Sequence, residues 1–274
     1  MDPVGAPEGR LSSQRRRQQQ ILDLVQARGS LRTDELAERL SVSAMTIHRD
    51  LDALSEQGLV TKVRGGAQAK PAEATERNVR FRMQYMPETK RAIAAAAAAH
   101  VEAGSVLALD DSTTAAHVLP LLQGTPLTLV TNFLPTIRSV AGEPDVGLIA
   151  LGGVYDPAFD SFLGPYAVQA ARSVMADVLL LSVPAVTRAA CYHQSTDAAD
   201  MKRALMASAH RRILLLDHTK LERRAVHRIA PLEDFDLIIV DADTTPDRVR
   251  RLEASGVPVE VAQAPGDRPA SEDH

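Results

Sequence analysis

The sequence predicts a two-domain protein of the α/β class, in which a small helical domain precedes a larger domain built on a parallel sheet. Apolar runs of four to seven residues (SVLALD, LTLVTN, VGLIALGG, DVLLLSV, RILLLD and DLIIVD) recur in the second part, most of them separated by segments long enough for a helix. Strands that are apolar throughout are typical of a sheet covered on both faces. Three helical patterns with capping residues precede these runs. A length of 274 residues also suits two domains.

The first domain begins with a helix that Ser12 or Ser13 can cap and that we expect to run to about Arg28, with Ile21 and Val25 facing inward. Gly29 then ends this helix in the manner typical of glycine.

A second, shorter helix, DELAERL, is expected after a cap at Thr33, with its acidic residues in the first turn, where the helix dipole favours them. The tight turn SVS follows, Ser43 caps a third helix, and Gly58 closes it. Two helices joined by about three residues form a helix-turn-helix. The next stretch, LVTKVRGGA, offers a short strand, two cations and two glycines, which can form a small wing against phosphate.

The third helix has two different faces. Ile47, Leu51 and Leu54 share one face at helical spacing, and polar side chains occupy the opposite face, which in a DNA-binding reading enters the major groove. The alternative is a three-helix bundle with a solvated face. In the DNA-binding reading, an arginine takes guanine or phosphate, a histidine or threonine takes a base edge or phosphate, and a methionine contacts a thymine methyl. The candidate DNA contacts are Ser43, Met45, Thr46, His48 and Arg49 in this helix and Lys62 and Arg64 in the wing.

Composition gives weaker information about the compartment and the partners. The head from Arg10 to Gly66 has a net charge of +3 and the remainder −7, an asymmetry expected of a nucleic-acid-binding module attached to another domain. Cys191 is the only cysteine, which suits a reducing compartment. No apolar run is long enough to span a bilayer, and the first residues do not resemble a signal peptide. We therefore expect a cytoplasmic protein without membrane contacts.

Polar residues or glycines follow several predicted strands of the second domain. Ligands of open α/β sheets bind at the carboxyl ends of the strands, so these positions converge on one candidate site. Simple capping by Ser and Thr is the alternative for the loop DDSTT, and an exposed lysine on a helix is more often merely solvated. The candidate ligand contacts are Asp110, Ser112, Thr113, Thr114, Thr131, Asn132, Gly152, Gly153, Lys202, Asp217 and Lys220.

The segment RQQQILDLVQARGSLRTDELAERLSVSAMTIHRDLDALSEQGLVTKVRGGA resembles the N-terminal domain of the DeoR family of bacterial regulators of sugar metabolism. The similarity continues through LDDSTTA, LVTN, ALGG, DAADMKRAL and LLLDHTKL, and so covers about Arg15 to Val261. It implies a winged head and a Rossmann-like α/β sensor domain that resembles ribose-phosphate isomerase. It also implies repression that a phosphorylated sugar relieves, and it raises Lys202, Asp217 and Lys220 as ligand contacts.

Composition and the helix and strand patterns set the expected domain organisation, since both ends are polar and the stretch before the second domain has few apolar residues. We expect a disordered tail over 1–13, a winged helix-turn-helix domain over 14–68, a linker over 69–87, a sensor domain over 88–262 and a second disordered tail over 263–274.

Three departures from the family pattern stand out. His48 lies where the family usually has arginine, and Arg64 lies where it usually has a wing histidine. The loop 182–194, with the segment SVPAVTRAACYHQ, replaces a glycine-containing loop and indicates a different ligand or pocket mouth. It also lacks the carboxylate that an isomerase needs as a general base, which favours binding without turnover. Cys191 and His193 are too few for a structural zinc site.

These observations together predict a sequence-specific transcriptional regulator without a cofactor or metal, most readily a repressor of a sugar or carbohydrate operon. Its expected partners are a double-stranded DNA operator, a phosphorylated sugar effector, and further copies of the chain in a dimer or tetramer, because one small module rarely gives useful specificity. An isomerase-like enzyme and a constitutive DNA-binding protein with a purely structural body are the alternatives.

Overall fold

The computed structural model describes residues 8–69, 78–187 and 189–263, and the chain divides into two compact units, Met1–Met86 and Pro87–His274. The predicted tails 1–13 and 263–274 and the predicted linker 69–87 lie partly outside the described residues. Within them, the structure has a helix that begins at Glu8 and a short helix over Val79–Gln84. None of the helices in the described ranges combines the length and the apolar character that crossing a bilayer requires.

The first unit, called the head here, consists of four helices and a three-stranded antiparallel sheet among its described residues. The helices are α1 (Glu8–Arg28), α2 (Thr33–Arg39), α3 (Ala44–Glu56) and α4 (Val79–Gln84), and the strands are β1 (Ser30–Arg32), β2 (Val60–Val63) and β3 (Gly66–Ala69). The sheet has the order β1-β3-β2, so the hairpin β2–β3 is the predicted wing. Strand β1, which the sequence did not predict, joins this wing to the helices.

The head core confirms the predicted inward faces of the helices. Ile21, Val25, Ile47 and Leu51 are fully buried and pack in one apolar cluster. Tyr85, which follows α4, is buried in the same cluster, and the Asn78 side chain donates to the carbonyl of Gln57. Residues 78–86 therefore pack as part of the head.

Two of the predicted helix starts were wrong. Helix α1 begins at Glu8, so Ser12 and Ser13 lie inside it and do not cap it. Helix α2 has Arg32 as its N-cap, and the Glu35 side chain accepts the Arg32 amide, while Thr33 is the first helical residue. Strand β1 ends at Arg32, and this extended backbone supplies the cap position that the sequence pattern assigned to the next residue.

The second unit, called the body here, has a seven-stranded parallel sheet. The six apolar runs form six of its strands and β15 is the seventh, with the order β15-β14-β12-β9-β4-β5-β6. Their bounds are β4 (Val106–Leu109), β5 (Leu127–Thr131), β6 (Val146–Ala150), β9 (Ala176–Ser182), β12 (Ala209–Leu216), β14 (Leu237–Val240) and β15 (Val259–Val261). The helices are α5 (Pro87–Ala98), α6 (Thr113–Ala116), α7 (Leu134–Val140), α8 (Pro165–Arg172), α9 (Thr196–Ala207) and α10 (Pro246–Glu253).

Alternate strand residues are buried on the two faces of this sheet. One apolar cluster includes Leu179 and Leu214 and packs against α8 and α9, and the other includes Leu180 and Ile213 and packs against α5. Burial of both faces explains why the strands are apolar throughout. The predicted α/β class with an N-terminal helix-turn-helix unit is confirmed.

Shorter strands, which the sequence did not indicate, complete the body. The hairpin β7 (Val154–Asp156) and β8 (Ser161–Leu163) stands alone, and β10 (Ala185–Thr187), β11 (Ala190–His193) and β13 (His227–Pro231) form a small antiparallel sheet. The divergent loop 182–194 is thus largely a β-hairpin. Ala189 lies in its turn with φ of 58°, a left-handed conformation that favours glycine.

Candidate functional site

The outer face of α3 is open to solvent. Met45 is 63% exposed, and His48 and Arg49 are exposed beside it. At the start of the helix the Ser43 hydroxyl accepts the Thr46 amide at 3.2 Å, as the predicted cap requires. The Ser43 and Thr46 hydroxyls also share a hydrogen bond of 2.9 Å. The helix therefore presents a polar face at its N-terminal half, where recognition helices contact base edges.

The wing carries its two predicted cations in different settings. Arg64 is exposed at the tip of the hairpin, whereas the Lys62 ammonium pairs with Asp52 of α3. Gly66 begins β3 directly after the turn and packs tightly against β1, because a Cβ there would lie 2.2 Å from the carbonyl oxygen of Leu31.

Sequence reasoning missed a buried anchor of α3. Asp50 is only 1% exposed, and its carboxylate accepts from Arg17 Nε at 2.5 Å and from Gln18 Nε2 at 3.1 Å, both on α1. This contact ties α1 to α3 and holds the orientation of α3. A polar residue next to the apolar stripe was its only signal in the sequence.

The body residues predicted as ligand contacts come from five elements that meet at the carboxyl edge of the sheet or in the loops after it. Asp110 follows β4, Asn132 follows β5 and Asp217 follows β12, and all three side chains are almost completely buried. Ser112 caps α6 by accepting the Ala115 amide at 3.2 Å. Thr113, Thr114 and Thr131 are buried as well.

Lys202 lies in a buried ion-pair cluster. Its Nζ is 2.6 Å from Asp110 Oδ2 and 2.7 Å from Asp111 Oδ1. Burial disfavours the ammonium form, but the two carboxylates outweigh this and raise the pKa of Lys202. Burial, together with the charge of Asp111, also raises the pKa of Asp110 against the opposing charge of Lys202. The cluster fixes α9 to the loop after β4.

Asp110 also orders the backbone around it. Its Oδ1 accepts the Ser112 amide at 3.0 Å and its Oδ2 accepts the Ser182 amide at 3.1 Å. It thus joins the ends of β4 and β9, which are neighbours in the sheet. Asp111 and Ser182, which the sequence did not single out, belong to the same cluster.

Two buried acceptors at this edge have no hydrogen-bond partner among the described residues: Asp217 Oδ2 and Asn132 Oδ1. The other oxygen of Asp217 accepts from the Thr219 amide at 3.0 Å, and the Asn132 amide nitrogen donates to the Phe162 carbonyl at 3.0 Å. A buried polar atom without a donor is costly, so each of these oxygens requires an explanation.

Lys90 is the clearest residue that sequence reasoning missed. It lies on α5 and is 3% exposed, and its Nζ donates to Thr113 Oγ1 at 2.9 Å. A buried lysine of this kind brings a positive charge to the Ser112–Thr114 loop. No periodic pattern in the sequence marks it, because alanine occupies most positions of the helix after it.

The two glycines after β6 differ in their surroundings. A Cβ on Gly153 would lie 2.7 Å from the Leu163 carbonyl oxygen and 2.8 Å from the Ala167 Cβ, so this glycine permits close packing of the β7–β8 hairpin on α8. For Gly152, no heavy atom of the described residues other than its chain neighbours lies within 4 Å of the Cβ position. Lys220 sits in a single helical turn directly after Asp217.

Metal-ligating side chains form one close group among the described residues, namely His218, Asp241 and Asp243. Asp241 is already engaged, since it accepts from the His218 amide at 2.9 Å, from His218 Nδ1 at 2.6 Å and from the Thr244 hydroxyl at 2.7 Å. This arrangement ties the loop after β12 to the loop after β14.

Burial raises the pKa of the Cys191 thiol, which favours its neutral form.

Comparison with known proteins agrees with this two-part architecture. The family model described as DeoR-like helix-turn-helix domain matches residues 17–72, and the model described as DeoR C terminal sensor domain matches residues 86–242. The HTH-type transcriptional regulator GolR of Listeria innocua is 30% identical over 90% of this chain and 98% of its own length.

Two further relatives differ in the sign of regulation that their names give. The HTH-type transcriptional repressor CsqR of Escherichia coli is 31% identical over 82% of this chain and 87% of its own length. The L-fucose operon activator of Haemophilus influenzae is 28% identical over 86% of this chain and 94% of its own length. Among solved structures, ribose 5 phosphate isomerase A from Neisseria gonorrhoeae is 15% identical over 50% of this chain and 54% of its own, with a TM-score of 0.36.

A helix-turn-helix head joined to an α/β sensor body defines a DNA-binding transcriptional regulator rather than an enzyme. The chain belongs to the DeoR family, as the sequence resemblance indicated.

Proposed function

We propose that this regulator represses a sugar or carbohydrate operon and releases its operator when a phosphorylated sugar binds at the carboxyl edge of the body sheet. The observation that carries the proposal is a pair of buried acceptors, Asp217 Oδ2 and Asn132 Oδ1, that have no donor within the part of the chain that the structure describes. A sugar hydroxyl is the kind of donor that each of these oxygens lacks. The strands that precede these residues are separated in the sheet by β9 and β4, so the ends of the two strands lie about 14 Å, or three strand spacings, apart.

The phosphate end of the ligand fits the loop after β4. Lys90 supplies a positive charge at Thr113, and the hydroxyls of Ser112, Thr113 and Thr114 lie in the same loop. Phosphate oxygens are strong acceptors, and charge-assisted hydrogen bonds to them are stronger than neutral ones. Lys202 acts from behind this loop in our proposal, because its ammonium is held by two carboxylates and thereby fixes the loop geometry.

In the head, we propose that Met45, Thr46, His48 and Arg49 contact bases and phosphates in the major groove. Ser43 fixes the first turn of α3, and the wing residues Lys62 and Arg64 contact the backbone of the duplex. Exposure of this helix face supports the assignment. Two heads on paired half-sites give the affinity that a single head lacks, so the active form is a dimer or tetramer of the chain.

Coupling between the two sites requires that the effector bind one arrangement of the protein more tightly than the other. An effector with equal affinity for both arrangements would leave DNA binding unchanged. The relative named L-fucose operon activator supports a role in sugar metabolism, and the relative named as a repressor supports the direction of control proposed for this chain.

The test begins with thermal unfolding of the full chain in the presence of sugar phosphates, the parent sugars and inorganic phosphate. A ligand at 100 times its Kd adds about 2.7 kcal/mol to the stability of the folded state. We expect one sugar phosphate to raise the Tm selectively, while its parent sugar does not. A panel without any such ligand contradicts the proposed sensing function and favours a constitutive DNA-binding protein.

A matched pair of variants locates the site. Asp217→Asn replaces the carboxylate whose oxygen has no donor, and we expect it to abolish the ligand-induced rise in Tm without lowering the Tm of the free protein. Asp236→Asn is the control, because Asp236 precedes β14 at the amino edge of the sheet and pairs with Arg212. If the ligand raises the Tm of both variants equally, Asp217 does not belong to the site.

The regulatory step is measured by a gel-shift titration with operator DNA, with and without the sugar phosphate that raises the Tm. We expect the affinity for DNA to fall when this ligand is present. Stabilisation by the ligand without any change in DNA affinity would retain the binding site and reject the coupling.

A further inference from the structure

The body contains a cavity of about 390 Å³ beside the hairpin β10–β11. Its apolar walls are formed by Val186 on β10, by Leu221 and Leu232, and by Leu252 on α10, all of which are at most 8% exposed. This volume lies in the range of sites that hold small molecules, and such sites combine apolar walls with a few polar groups.

The polar groups of this cavity carry an excess of positive charge. Arg248 and Arg251, one turn apart on α10, both pair with the single carboxylate of Glu222, at 3.3 Å and 2.7 Å. Two guanidinium groups therefore share one carboxylate. Guanidinium groups bind carboxylates through two parallel hydrogen bonds, so a second carboxylate fits the donors that Glu222 leaves available.

Backbone contacts hold the walls of the cavity in place. The Glu222 amide donates to the Val186 carbonyl at 2.9 Å, and the Leu232 amide donates to the Ala189 carbonyl at 2.8 Å. Glu222 and Ala189 both have left-handed backbone conformations, with φ of 68° and 58°. Because these hydrogen bonds fix the surrounding chain, the cavity is formed before any ligand enters.

We propose that this cavity is a second small-molecule site, which binds a monocarboxylate with a compact apolar body. The carboxylate meets Arg248 and Arg251, and the apolar body lies against Val186, Leu221 and Leu252. A sugar phosphate does not suit the cavity, because its hydroxyl groups would lose their hydrogen bonds to water against apolar walls. The site therefore differs in chemistry from the effector site proposed above and does not depend on it.

The test uses sodium octanoate as the probe and the full chain as the protein. Calorimetric titration and thermal unfolding compare octanoate with acetate, which has the charge without the apolar body, and with octan-1-ol, which has the apolar body without the charge. We expect only octanoate to bind measurably and to raise the Tm.

Variants on α10 supply the matched control. The double substitution Arg248→Gln/Arg251→Gln removes both cations, and we expect it to weaken octanoate binding at least about tenfold. Arg250→Gln changes an arginine of the same helix that pairs with Asp247 and does not line the cavity, and it should leave the affinity unchanged. A third variant, Thr187→Trp, places an indole in the cavity and should abolish binding.

Three results would overturn the proposal. The wild-type chain fails to bind octanoate; or octan-1-ol binds as tightly as octanoate; or the double variant binds octanoate as tightly as the Arg250→Gln control. The last result would show that the probe binds elsewhere. Both substituted arginines are at least partly exposed, with side-chain exposures of 31% and 69%, so the double variant retains the fold needed for this comparison.

Discussion

The buried contact between Arg17 and Asp50 allows a quantitative test of how the recognition helix is held. The Asp50 side chain is 1% exposed and that of Arg17 is 22% exposed. Removing the guanidinium leaves a carboxylate buried without its counter-charge, whereas removing the carboxylate leaves an arginine that still reaches water. The two single substitutions should therefore have unequal effects on the stability of the head.

Breaking a buried ion pair by removing one partner costs roughly 3–5 kcal/mol. For Arg17→Met we expect the lower end, about 3 kcal/mol, because Gln18 continues to donate to Asp50. For Asp50→Leu we expect about 1 kcal/mol, since the freed arginine is hydrated and the leucine adds apolar burial. The double variant should lose only about 1 kcal/mol, because no uncompensated charge remains, which corresponds to a coupling energy of about 3 kcal/mol.

Hydrogen exchange of the α3 backbone amides in the full chain measures the opening free energy of the head without interference from the body. A gel-shift titration of the same four proteins tests whether the contact also orients α3 on DNA, in which case all three variants bind more weakly than the wild-type chain. Additive effects of the two substitutions, with a coupling below about 0.5 kcal/mol, would refute the reasoning.

Three further predictions concern single residues. Arg49→Ala should weaken operator binding by roughly 1–3 kcal/mol in a gel-shift titration, with an unchanged circular dichroism spectrum; an unchanged affinity removes Arg49 from the contacts. Gly66→Ala should destabilise the head by about 2 kcal/mol or more by hydrogen exchange, because its Cβ would meet the Leu31 carbonyl at 2.2 Å; wild-type exchange rates would contradict this. The hydrogen bond to Asp241 raises the pKa of His218, so the stability that it contributes is complete below about pH 6.5 and is lost as the pH rises through the folded-state pKa. Asp241→Asn should flatten the resulting fall of Tm above about pH 6.5. An unaltered pH profile of Tm would show that the His218–Asp241 pair does not cause this fall.

The fold was predictable to the extent that its elements are encoded locally. Helical periodicity and capping residues indicated three helices, and unbroken apolar runs indicated six strands of the sheet. A strand that is buried on both faces is apolar at successive positions, so the run itself is visible in the sequence. Strands β1, β7, β8, β10, β11 and β13 have three to five residues each and form antiparallel pairs at the edges of the units. Length alone does not explain why they were missed, since β4 and β14 have four residues each; these strands lack the apolar runs, separated by helical segments, that mark the parallel sheet.

The candidate site was predictable in position but not in the roles of its residues. Strand ends carry polar residues that can be read from the sequence, and the structure brings Asp110, Asn132 and Asp217 to one edge of the sheet. Whether each of them is engaged depends on residues far away in the chain. Lys90, 23 residues before its partner Thr113, was missed for this reason.

Lys202 shows why the roles require the structure. An isolated lysine on a helix suggests a cation for phosphate. In the structure, however, the Lys202 ammonium donates a hydrogen bond inside the body to Asp110, which lies 92 residues earlier in the chain. With Asp111, the cluster places two carboxylates around one ammonium, so Lys202 is engaged inside the body. A phosphate-bearing ligand must therefore obtain its positive charge elsewhere in the site, and Lys90 lies beside the hydroxyls of the same loop. Lys202→Gln would destabilise the fold, because it leaves two buried carboxylates without their cation. Lys90→Gln is therefore the more informative substitution for ligand recognition.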